Sequence, residues 1–268
     1  MLSWLRRSLF RRGGGRRAPA ARARLRFDTM PSVLYVVGDV HGRLDLLSKI
    51  EAAIAEDARH VAGERWIVLL GDVIDRGPKS AQVLDRLCGP APAGLTRFCI
   101  AGNHEIMMLD ALEGRYRMKS WLEFGGFETL LSYGMQPEAI RETPPSSAKF
   151  RHLLESHIPE EHSDFLRSLP VSIELPNAIL VHSGMRPNVP LSQHSDEDIT
   201  LCPKMPFDAD QLYDKLVVHG HHIVMEPVAR KMEINVDTGA YVSGKLTAAR
   251  LSITGEVAFL TTSTDVID

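Results

Sequence analysis

Val33-Leu34-Tyr35-Val36-Val37-Gly38-Asp39-Val40-His41-Gly42 runs five apolar or aromatic residues into a short polar loop bracketed by glycine. Leu44, Leu47, Ile50 and Ile54 follow at helical spacing over 44–58, so the stretch reads as strand, turn and helix. The unit repeats twice. An apolar run at 66–70 meets Gly71-Asp72-Val73-Ile74-Asp75-Arg76-Gly77 before a helical pattern at 80–87, and 97–101 meets Gly102-Asn103-His104-Glu105 before 106–112. Repeated βα units predict an α/β sheet, and ligands of such sheets gather at the strands' carboxyl ends. All three loops fall there and carry Asp, His or Asn.

Further along, 178–181 leads into a fourth loop, His182-Ser183-Gly184, and 216–218 into a fifth, His219-Gly220-His221-His222. With pieces at 171–175, 234–236, 246–251 and 257–260, these short, turn-bounded runs predict a second, largely antiparallel sheet. The middle, about 116–169, is helical in pattern with breaks at Gly125-Gly126, Gly134 and Pro144-Pro145, and is expected as a cap. The expected fold class is α/β, a two-sheet β-sandwich flanked by helices. At 268 residues and 44% hydrophobic, the chain can bury one substantial core, assigned to 30–268.

Charge is unevenly placed. Residues 1–27 carry nine Arg and no acid, which leaves 22 Lys+Arg against 34 Asp+Glu for the rest. Residues 1–29 are expected as a basic, disordered leader: a solvated tail, a weak anchor to anionic surfaces through Trp4 and Phe10, or sequence upstream of a start at Met30. The acidic body offers no basic stripe for a nucleic-acid backbone, which argues against a nuclease. No run reaches the roughly 18 apolar residues of a membrane span, and no signal-peptide pattern is present. Three cysteines without Cys-x-x-Cys spacing, Cys88, Cys99 and Cys202, suit free thiols in a reducing, cytoplasmic setting.

The five loops in this order, together with Asn235-Val236-Asp237-Thr238-Gly239-Ala240, resemble the phosphoprotein phosphatase branch of the calcineurin-like metallophosphoesterases. The likeness extends over most of 32–251 and includes bacterial Ser/Thr protein phosphatases and symmetrical dinucleoside-tetraphosphate hydrolases. It implies one metal on Asp39, His41 and Asp72 and a second on Asp72, Asn103, His182 and His221, with Asp72 as the bridge. Oxygen and imidazole ligands without thiolate favour Mn²⁺, with Fe or Zn as alternatives. The resemblance further implies in-line attack on phosphorus by a hydroxide shared between two divalent metals, with His104 as general acid oriented by Asp75.

Arg76 matches the family's phosphate-gripping arginine. Arg43 follows the first loop closely enough to reach the same cleft, although a salt bridge at a helix N-terminus explains it as well. Where bacterial relatives carry a second gripping arginine, the matching stretch here is Leu201-Cys202-Pro203-Lys204, so Lys204 replaces it with a point charge on a flexible stem. His219 and His222 are expected to support His221 or to lie on the surface. His60, His152, His157, His162 and His194 lack ligand spacing and are expected in solvent. Met107 and Met108 are expected to fill core.

The activity this implies is hydrolysis of phosphomonoesters such as phosphoserine or phosphothreonine, with a phosphorylated protein or a small phosphoester as the partner. Hydrolysis of a symmetrical dinucleoside polyphosphate is the alternative on the same site. A non-catalytic scaffold that binds phospho-ligands is the alternative of a different class.

Overall fold

The computed structural model describes residues 21–203 and 214–264. Two sheets face each other across an apolar interior. The first has five strands in the order β11-β10-β2-β3-β4, built from β2 (Val33–Val37), β3 (Arg65–Leu69), β4 (Thr96–Cys99), β10 (Lys245–Ser252) and β11 (Val257–Ser263). β2, β3 and β4 are parallel, with Val37 opposite Leu69 and Leu69 opposite Cys99, so their carboxyl ends lie level. β10 and β11 extend this sheet antiparallel on the other side of β2.

The second sheet orders six strands as β1-β5-β6-β7-β9-β8: β1 (Arg24–Arg26), β5 (Ser172–Glu174), β6 (Ala178–Val181), β7 (Leu216–His219), β8 (Val228–Arg230) and β9 (Glu233–Asn235). The expectation of a largely antiparallel second sheet is corrected on two counts. β10 and β11 belong to the first sheet, and β6, β7 and β9 are mutually parallel, which again aligns carboxyl ends. Short strands bounded by turns carry no direction in their pattern, so the sequence reading had no handle on this.

Alternation along the strands divides the interior. Leu34, Val36, Trp66, Val68, Ile173, Leu180, Val218 and Ile234 pack between the sheets. Val33, Tyr35, Val37, Ile67 and Leu69 face the helices, where Leu46, Leu47, Ile50 and Ile54 of helix Leu44–Ala58 and Val83, Leu84 and Leu87 of helix Ser80–Cys88 cover them. The segment 116–169 is helical as expected. Its Trp121, Leu130, Phe150, Leu154 and Leu166 join the same helix-side core, so it is packed body as well as roof. Met107 and Met108 are buried there.

The leader boundary expected at Met30 also moves. Arg24–Arg26 pairs parallel with Ser172–Glu174, and Phe27 sits edge-on to Trp66 with ring centroids 4.7 Å apart. The Arg22 and Arg24 guanidiniums bond carbonyls of Leu166, Leu169, Leu191 and His194. Counting arginines as solvated charge hid these bonds, because a guanidinium presents five donors and can pair with carbonyls as well as acids. Trp4 and Phe10 lie outside the described residues. Among the described residues no helix is long and apolar enough to cross a membrane.

Candidate active site

The loops after β2, β3, β6 and β7, with the start of helix Asn103–Leu112 after β4, converge on one carboxylate. Asp72 Oδ2 lies 3.2 Å from His182 Nε2, 3.7 Å from His41 Nε2 and 3.9 Å from His104 Nε2, while Oδ1 accepts the His104 backbone N–H at 3.0 Å. Asp72 belongs to both clusters of ligand-type atoms, one with His41 and His104 and one with His182 and His221. Asn103 Oδ1 stands 3.1 Å from His182 Nε2, and Asp39 Oδ1 accepts the His221 backbone N–H at 3.2 Å. Asp39, His41, Asp72, Asn103, His104 and His182 are all buried.

Two histidines are oriented by carbonyls. His182 Nδ1 lies 2.8 Å from Leu70 O and His41 Nδ1 lies 2.8 Å from Ile74 O; a carbonyl only accepts, so each Nδ1 carries the proton and each Nε2 faces the cluster. Around His182 Nε2 stand Asn103 Oδ1, Asp72 Oδ2 and His221 Nδ1, at 3.1 to 3.2 Å. Acceptor atoms that point at one another without enough hydrogens between them suit a cation, and this set of carboxylate, amide oxygen and imidazole suits a hard or borderline divalent one.

Electrostatics agree. Burial and the neighbouring His104 lower the His41 pKa to about 3, and burial with His182 holds His221 well below the ordinary value, so both are neutral imidazoles able to ligate. Burial and the Asp237 carboxylate push Asp39 well above the usual range. Burial opposes ionisation of Asp72 too, but His182 and His104 outweigh it and hold it well below. Burial would depress His182, yet Asp72 and Asp39 raise it to about 10, the mark of concentrated negative charge that favours a cation.

The backbone is strained at these residues. Six non-glycine residues among those described have positive φ, and five of them are His41 (45°), Asp72 (47°), Asp75 (69°), Arg76 (66°) and His221 (64°). Each costs roughly 1 kcal/mol or more and persists only where surroundings impose it, which is typical of functional sites. Glu105 imposes part of it: its buried carboxylate accepts the backbone N–H groups of Asp72, Val73 and Gly102, each at 2.8 Å. Gly102 itself leaves no room for a side chain, since a Cβ there would run into Asp72 Oδ1.

The two residues expected to act together in proton transfer, His104 and Asp75, are in contact. His104 Nδ1 donates to Asp75 Oδ2 at 2.7 Å. Arg76 Nη1 lies 3.0 Å from His41 Nε2, and its guanidinium stacks 4.8 Å from the Tyr241 ring centroid. Arg43 is bound to Asp45 and to the Ala240 carbonyl, the contacts of a helix N-terminal ion pair. Lys204 lies outside the described residues.

The sequence reading passed over several neighbours. Glu105 sat inside a quoted loop without a role. Trp121 and Thr129 lie in the stretch expected as a cap, with no individual role assigned, yet Trp121 Nε1 donates to Asp75 Oδ2 at 2.9 Å and Thr129 Oγ1 donates to Asp75 Oδ1 at 2.6 Å. Tyr241 follows the last loop with no motif to flag it. Of the histidines expected in solvent, His162 and His194 are buried: His162 bonds Tyr133 Oη and Asp85, and His194 Nε2 accepts the Arg186 backbone N–H. His219 is buried against Glu233 at 2.9 Å, and His222 Nε2 donates to the Cys202 carbonyl.

Comparison with known proteins accords with this geometry. The chain is 26% identical over 235 residues to the asymmetrical bis(5'-nucleosyl)-tetraphosphatase PrpE of Oceanobacillus iheyensis, covering 80% of this chain and 87% of that one. It is 24% identical over 230 residues to serine/threonine-protein phosphatase 2 of Salmonella typhimurium, covering 80% and 90%. A solved structure described as a candidate diadenosine tetraphosphatase superposes with a TM-score of 0.62 at 18% identity, over 90% of this chain and 98% of that one, and shows the shared fold. Residues 33–225 match the model of the calcineurin-like phosphoesterases, and the chain belongs to that family of hydrolases acting on phosphoester bonds.

Proposed function

We propose that this phosphoesterase works with two divalent cations, Mn²⁺ the best suited by the donor set, and hydrolyses phosphomonoesters such as phosphoserine or phosphothreonine in proteins. The observation that carries the reading is the Asp72 carboxylate shared by two ligand clusters. Asp39 and His41 would complete one cation site with Asp72; Asn103, His182 and His221 would complete the other. When bound, such a pair neutralises phosphoryl oxygens and lowers the pKa of coordinated water.

The protein's own groups supply the rest. Arg76 offers N–H donors in a planar fork to phosphoryl oxygens. His104, held at Nδ1 by Asp75, presents Nε2 to the leaving oxygen as the proton donor. Lys204 would add a second positive charge. The Asp72→Asn variant should lose metal, measured by elemental analysis, and turnover by on the order of 10³, since several kcal/mol of charge stabilisation go with it. Full metal content with intact turnover would defeat the reading.

A second substrate reading has specific support. Relatives covering most of this chain are named as dinucleoside tetraphosphatases, among them that of Oceanobacillus iheyensis. A phosphoserine peptide and a dinucleoside tetraphosphate, compared at matched Mn²⁺, separate the two by kcat/KM.

A further inference from the structure

The Asp75 carboxylate makes more contacts than a His–Asp pair needs. It is fully buried, as are Trp121 and Thr129. Oδ2 accepts from both His104 Nδ1 and Trp121 Nε1, and Oδ1 accepts from Thr129 Oγ1. The same Thr129 hydroxyl accepts the Asp75 backbone N–H at 3.0 Å, and Ser80 Oγ shares that donor. One residue on, the Arg76 N–H donates to the Gly125 carbonyl at 3.1 Å.

The contacts of Trp121, Thr129 and Gly125 come from one stretch, the abutting helical pieces Met118–Trp121, Leu122–Gly126 and Phe127–Ser132, with a kink at Gly125. Gly125 has φ of 111°, and a Cβ there would strike the Arg76 backbone. The kink therefore brings a carbonyl and two side-chain donors onto residues 75–76, whose own φ values are positive and costly to hold.

We propose that Trp121 and Thr129 are positioning residues: they fix the Asp75 carboxylate and, through it, the ring of His104, so that this helical segment governs how efficiently a proton reaches the leaving oxygen. This rests on the reading of His104 as the proton donor. A buried carboxylate with a single partner can turn about χ2; with Oδ1 pinned by Thr129 and Oδ2 flanked by Trp121, only one orientation keeps all three bonds. Loss of either donor leaves His104 in place but loosely aimed, and misaligned proton transfer costs most when the leaving group is a poor one.

The test uses the full chain loaded with Mn²⁺, a phosphoserine peptide as the poor leaving group and p-nitrophenyl phosphate as the good one. Trp121→Phe and Thr129→Val should each lose on the order of 10-fold on the peptide and about 2-fold on the aryl ester, while Thr129→Ser restores both. His104→Asn should show the same asymmetry more strongly, and Trp121→Phe added to it should cost nothing further. Equal losses on both substrates, or additive losses in the double variant, would overturn the proposal.

If His104→Asn shows no asymmetry, the proton-donor reading fails on its own account. The positioning is then decided by the His104 Nδ1–H proton resonance in Zn²⁺-loaded protein, identified by its absence in His104→Asn. That resonance should shift in both Trp121→Phe and Thr129→Val; an unchanged resonance overturns the positioning.

Discussion

The two halves of the site are held in different ways. On the first sheet, the loops after β2 and β3 put His41, Asp72, Asp75 and Arg76 in left-handed backbone, and carboxylates and carbonyls of neighbouring loops keep them there. On the second sheet, His182 begins directly where β6 ends with its ring tied to Leu70 O, while His221, in the loop after β7, is left-handed with its N–H bonded to Asp39 Oδ1. The first half concentrates the strain, four such site residues against one, and has a carboxylate clamp in Glu105; the second draws more on regular strand ends.

The clamp gives the strongest way to break this comparison. Glu105→Gln keeps one acceptor oxygen but sets an NH₂ group against backbone donors that now share the carboxylate. Leaving buried donors unpaired should cost about 2–4 kcal/mol in urea denaturation. The matched change on the other half, Glu233→Gln beside His219, keeps the Oε1 contact at 2.9 Å and should cost about 1 kcal/mol or less. Equal costs would show that both halves lean on a carboxylate alike.

Most of the fold, and the loops that meet at the candidate site, could be read from the chain because both are local. Strand, Gly-rich loop and helix occur within some 25 residues for β2 and helix Leu44–Ala58, and Asp39, His41, Asp72, Asn103, His182 and His221 each follow an apolar run directly. What escaped the reading depends on distance in sequence. Trp121 meets Asp75 across 46 positions, and Arg24 meets Leu191 across 167. Tryptophan in a helical pattern looks like core, and is core; its N–H shows a second role only when the partner is in view. Strand direction in the second sheet was hidden for a similar reason, since short buried runs look the same parallel or antiparallel.

The charge difference between the halves predicts a dependence on metal and pH. Burial works against protonated His182, but Asp72 and Asp39 lift its pKa to about 10, from about 6.5 in the unfolded chain. A raised pKa means the folded form binds the proton more tightly, so the stabilisation is complete below about pH 6.5 and is lost as pH rises toward 10. Chelator-treated protein should therefore lose stability over that window. Protein saturated with Mn²⁺ should change less, because metal binding selects the folded state and neutral imidazole. Thermal melts across the window, with and without chelator, read this directly, and parallel curves would remove His182 from the cluster's charge balance.

The smallest effect concerns how the second sheet's edge is secured. Arg24 on β1 donates to Leu191 O at 2.7 Å and His194 O at 2.6 Å, and lies 3.3 Å from Asp196. Its side chain is 26% exposed, so the ion pair is screened by solvent and the carbonyl bonds carry most of the value. Arg24→Ala should then cost about 1 kcal/mol, a drop of roughly 2–4 °C in Tm for a chain of this size. Arg24→Lys reaches fewer acceptors and should fall between. Because β1 is the edge strand of its sheet, paired with β5 among the described residues, kcat on p-nitrophenyl phosphate should stay within about 2-fold of wild type. A large fall in kcat with unchanged Tm would mean that this edge feeds into the imidazole side of the site, and the division between a clamped half and one that draws more on strand ends would no longer hold.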